Sequence, residues 1–118
     1  MRWIFGKNEE PINLTEELIV RIERKLVRMK ELLIQNNYHD HTIRIDMIIE
    51  AMQQNNTHAF KRRILSAELL GGSGSVIDCD LGSDDKEFRK VFDEFLGLVV
   101  LSGLDNKAIH SSRRILNL

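Results

Sequence analysis

Apolar side chains recur at helical spacing through most of the chain. Leu18, Ile22, Leu26, Met29 and Leu33 follow one another at steps of four, four, three and four, and Ile19 and Leu32 widen the stripe. A helix turns once in 3.6 residues, so such steps keep these side chains on one face. Arg21, Glu23, Arg24, Arg28 and Glu31 occupy the opposite face. Asn13 and Glu16 have the spacing of a capping box, and Glu16 and Glu17 suit the positive end of a helix dipole. The pattern predicts a first helix over residues 14–36.

The polar run NNYHDH marks a connection, after which Ile45, Ile48, Ile49 and Met52 form a second stripe that QQNN closes. The β-branched residues between Thr42 and Ile45 leave a strand open there, but the spacing favours a helix. Asn56 or Thr57 caps a third helix in which Phe60, Ile64 and Ala67 face the core, Leu70 lies at the stripe's edge, and Lys61 and Arg62 point away. Gly71 is read as its left-handed stop. Beyond a Gly/Ser-rich interruption, Ser83 or Asp84 caps a fourth helix, and Phe88, Val91, Phe92, Phe95, Leu96 and Val99 make the most apolar stripe of the chain. Gly103 ends that helix, and Asp105 caps a last one that buries Ile109, Ile115 and Leu116. These elements predict a mainly α fold: a single domain over residues 1–118, with four to five helices and a Gly/Ser-rich crossing that leaves room for a short extended segment.

Composition narrows the class. With 42% apolar and 30% charged residues, 118 residues suit one soluble folded domain with one core. The 17 basic and 18 acidic side chains nearly cancel, so the overall balance does not draw the chain to nucleic acid or an anionic membrane. Cys79 is the only cysteine, which excludes an intrachain disulfide and fits a reducing cytoplasm. The N-terminal MRWIFGKNEEP breaks at Gly6 and turns acidic, unlike a secretory signal, and no run reaches the roughly 18 apolar residues of a spanning helix.

The stretch LLGGSGSVIDCDLGSDD, Leu69 to Asp85, concentrates the candidate chemistry. A phosphate cradle needs a strand before it, a helix after it and a Lys-Ser/Thr ending, whereas these glycines follow a helix. A calcium loop would use Asp78, Asp80 and Asp84 at positions one, three and seven, but Ser83 stands where glycine is required and Arg89 where a bidentate glutamate is required. Cys79 lies between Asp78 and Asp80, whose charge disfavours a thiolate, and no histidine is placed beside it by spacing. His39 and His41 in HDH read as an exposed turn. No metal or cofactor is expected.

Acidic residues remain: Asp78, Asp80, Asp84, Asp85 and Glu87, against the single Lys86. Held on a loop and a helix start, they complement a basic cleft in another protein, such as a nuclease groove. Helix capping and solvation are the simpler account of any one of these residues and explain Asp84, Asp85 and Glu87 adequately, but leave Asp78 and Asp80 without a task. The basic runs Lys61 to Arg63 and Ser111 to Arg114 supply the alternative, a regulatory or nucleic-acid-binding module, although charges adjacent on a helix point around it rather than into one groove.

The segment ELLGGSGSVIDCDL resembles a signature of an uncharacterised family of small bacterial proteins, through Leu70, Gly71, Gly72, Gly74, Ser75 and Asp78. In size, expected solubility and lack of an active-site motif the chain is also similar to immunity proteins of contact-dependent inhibition and other polymorphic toxin systems. That resemblance implies a non-enzymatic cytoplasmic inhibitor of one cognate toxin domain, acting by steric and electrostatic occlusion, without membrane or nucleic-acid binding. The residues expected at the contact are Asp78, Asp80, Asp84, Asp85 and Glu87, with Lys61 and Arg62 as a second surface.

Overall fold

The computed structural model describes residues 11–118; the readings of the N-terminal stretch, Gly6 included, lie outside it. Its helices are α1 (Glu16–Gln35), α2 (Thr42–Gln53), α3 (Thr57–Ile64), the single turn α4 (Ala67–Leu70), α5 (Asp85–Leu101) and α6 (Lys107–Leu116). The described residues contain no strand, and the fold is mainly α in one domain.

Helix α1 lies in the middle of a row. It packs against α2 on one side and α5 on the other, while α3 rests on α2 and α6 on α5. The expected stripes account for this order. Ile22, Leu26, Met29, Leu32 and Leu33 of α1 are buried, as are Ile45, Ile48 and Met52 of α2. All six expected positions of α5 are buried, and Phe92 stands between Phe88 and Phe95 at ring distances of 5.8 and 6.2 Å. Removing this much apolar surface from water is the main force holding the row together.

Several element boundaries differ from the sequence reading for physical reasons. Thr15, not Asn13, caps α1 by accepting from the Leu18 amide, because the Asn13 backbone is engaged with the Ser102 carbonyl at 2.7 Å. Residues 42–45 are helical. Asn56 caps α3, and the expected third helix breaks at Leu65, where Ser66 starts α4 by accepting from Leu69 N. The new start resets the helical phase, so Leu69 is buried and Ala67 is exposed. Gly71 has φ −91°, and the left-handed residue is Gly72 at +102°. Asn106 caps α6, while Asp105 pairs with His110, and Ile115 stays 50% exposed.

Candidate functional site

The crossing between α4 and α5 contains two 3-10 turns, Val76–Asp78 and Gly82–Asp84, where the sequence left room for an extended segment. Ser75 organises its first half: its hydroxyl accepts from Gly72 N and donates to Gly72 O. Val76 and Leu81 anchor the crossing in the core, which forces the polar residues between them outward. Asp78 and Asp80 are exposed and take part in no ion pair among the described residues.

Side chains from the α1–α2 junction pin this crossing. The Tyr38 hydroxyl donates to Asp80 O at 3.1 Å and accepts from Asp80 N at 3.3 Å. His41 Nε2 meets Gly74 O at 3.2 Å, and the two rings of Tyr38 and His41 lie edge to face. Asp80 also closes a local turn by accepting from Gly82 N at 3.0 Å. The loop backbone is therefore held by bonds within the chain itself.

The five acidic residues fall into different roles. Asp84 accepts from Asn36 Nδ2 at 3.0 Å, tying the start of α5 to the end of α1, and Asp85 accepts from Leu81 N at 3.3 Å. Asp84 occupies the N-cap position of α5 without making a side-chain cap bond. Glu87 forms a fork with Arg28, whose Nε and Nη2 lie 2.7 and 2.9 Å from its two oxygens. That pairing holds the Glu87 carboxyl below its usual range and raises the Arg28 guanidinium. Asp78 and Asp80 are left as the projecting charges.

Cys79 is buried between them and donates to Ser75 O at 3.6 Å. Burial first, and the Asp78 charge second, push its thiol up to about 11. At neutral pH it stays protonated, which disfavours the thiolate needed for nucleophilic attack. Among the described residues, no three His, Cys, Asp or Glu side chains gather at metal-binding distance.

The basic candidates are separated. Arg62 is exposed on α3, and Lys61 is half-buried on the same helix. Arg63 donates to the Met47 carbonyl at 2.6 Å and pairs with Glu50 at 3.1 Å. Arg113 pairs with Asp93 at 2.7 Å at the far end of the row of helices. A groove of about 610 Å³ between α1, α5 and α6 gathers Arg21, Arg24, Lys25 and Arg113; helical spacing already sets Arg21 and Lys25 on one side of α1, and the fold adds Arg113. Carboxylates partly neutralise it, since Lys25 pairs with Glu94 at 2.9 Å beside the Arg113–Asp93 pair.

No helix among the described residues is long and apolar enough to cross a membrane. No protein family, curated protein or solved structure matches the chain.

Proposed function

We propose that this chain is a protein-binding inhibitor, the cytoplasmic immunity partner of a bacterial toxin domain, and that it docks through the edge formed by Asp78 and Asp80. The observation that carries this reading is the pinned acidic loop: two exposed carboxylates without ion pairs, on a backbone held by Tyr38 and His41. Charges fixed in this way steer a basic partner and lose little entropy on contact. Asp84 and Asp85 support the loop from behind while adding to its negative field, and Glu87, offset by Arg28, sits at the margin. Lys61 and Arg62 on α3 form a second, smaller contact surface. A nuclease domain, whose groove must be basic to hold phosphate, fits this edge best.

The test is rescue. The toxin domain encoded beside the gene for this chain is expressed in bacteria with and without the chain, and survival is counted. Survival that depends on the chain and falls when Asp78 and Asp80 are both changed to lysine supports the reading. Absence of any toxic neighbour, or rescue unaffected by the double reversal, overturns it. Salt-dependent binding of the chain to generic DNA or RNA would instead favour the nucleic-acid alternative.

A further inference from the structure

The middle position of α1 leaves one of its faces uncovered. Along that face Val20, Val27 and Ile34 recur every seven residues, about two helical turns, and remain 49%, 41% and 43% exposed. A shallow groove of about 410 Å³ runs beside Val20 and Val27, with Glu23, Arg24, Arg28 and Glu31 in its lining. The stripe is about 21 Å long, enough for three layers of a helix–helix contact.

The charges flanking the stripe show what fits it. Arg24 and Glu31 project on the α5 side of the seam, and Glu23 and Lys30 on the α2 side, as their angular positions about the helix require. When two copies of α1 meet antiparallel about a two-fold axis at Val27, Val20 of one copy faces Ile34 of the other and Val27 faces its own equivalent. The same operation brings like sides together, so Arg24 meets Glu31 and Glu23 meets Lys30, each offset by one residue, about 1.5 Å. Symmetry doubles both pairs. Each of these four flanking charges then faces an opposite one, a complementarity an arbitrary exposed helix face does not have.

A parallel pairing is disfavoured. It would set Glu16, which continues the same face, against its own copy across the seam, and would crowd the acidic first turns together. The antiparallel arrangement keeps those turns far apart and opposes the helix dipoles. Two of the flanking side chains are already positioned, Lys30 by Asp46 at 2.7 Å and Glu31 by Arg28 at 3.1 Å.

We infer that a second copy of this chain is the occupant, forming a two-fold dimer through antiparallel α1 helices with Val27 on the axis. A single helix pair makes a small interface, so the dimer is a concentration-dependent one in the micromolar range. This inference does not depend on the toxin reading. The seam residues Val20, Val27 and Ile34 are none of those that hold the Asp78–Asp80 edge.

Sedimentation velocity of the full chain over a concentration series tests it. The expected result is a reversible monomer–dimer equilibrium that Val27→Glu weakens about tenfold or more by placing unpaired charge in the seam, with the monomer's circular dichroism unchanged. Arg24→Glu and Glu31→Arg should each weaken self-association, and an equimolar mixture of those two variants should restore it. Cysteine cross-linking fixes direction: Val20→Cys joins to Ile34→Cys and not to itself. A chain that stays monomeric at all concentrations, a dimer indifferent to Val27→Glu, a mixture that fails to restore pairing, or Val20→Cys joining to itself would each overturn the proposal.

Discussion

The Tyr38 hydroxyl brackets the backbone of one residue, donating to Asp80 O at 3.1 Å and accepting from Asp80 N at 3.3 Å. Residues 42 positions apart are joined in this way, and the crossing between α4 and α5 is held against the end of α1. Tyr38→Phe removes both bonds while keeping the ring. It is expected to cost about 1 kcal/mol of stability, and hydrogen exchange should show faster exchange at the Asp80 and Gly82 amides with the helices unaffected.

Cys79 should label slowly. Its thiol is buried and raised to about 11, so reaction with iodoacetamide at neutral pH should lag far behind that of a free cysteine and speed up on unfolding. Asp78→Asn removes the second cause and should increase labelling modestly. Because the folded thiol pKa lies above the unfolded one, this group's stabilisation is complete below the ordinary thiol range and lost as pH rises toward about 11. Chemical unfolding measured across that alkaline window should show the loss, and Cys79→Ala should flatten it.

Phe92 is fully buried between two other phenylalanines of α5. Phe92→Ala should lower unfolding free energy by about 3–5 kcal/mol, through lost transfer energy and a cavity that neighbouring rings cannot fill. Urea unfolding provides the measurement. A cost below 1 kcal/mol would contradict the central place of this ring.

Gly103 ends α5 with φ +110°, and a Cβ there would lie 2.8 Å from the Pro11 carbonyl oxygen. Strained backbone and close contact act together, so Gly103→Ala should cost about 1–3 kcal/mol. The adjacent Asn13 N to Ser102 O bond should then be the first to exchange, as amide hydrogen exchange would show.

Much of the fold was legible because burial imposes periodicity. The stripes on α1, α2 and α5 were written at helical spacing, and their central positions are buried as expected. Boundaries were less legible, since a cap depends on which side chain is free. Asn13 has the right type for capping, yet its backbone is drawn to Ser102 and Thr15 takes the task. The break at Leu65–Ser66 left no strong mark in the pattern, so Ala67, expected in the core, is exposed and Leu69 is buried instead.

The acidic cluster shows where local reading stops. Five carboxylates within ten residues look alike in sequence, but Asp84 and Glu87 are drawn to Asn36 and Arg28, respectively 48 and 59 positions away. Only the tertiary fold separates them from Asp78 and Asp80. The exposed apolar row on α1 is illegible for the opposite reason: Val20, Val27 and Ile34 lie among charges on the face that core periodicity assigns to solvent.

The measurement that bears most directly on the acidic edge is the rate at which the chain associates with the toxin domain proposed as its partner, followed by stopped flow at increasing salt. The account predicts a rate that falls steeply with ionic strength and drops about tenfold or more when Asp78 and Asp80 are both replaced by lysine. A rate unchanged by salt and by the double replacement would contradict it.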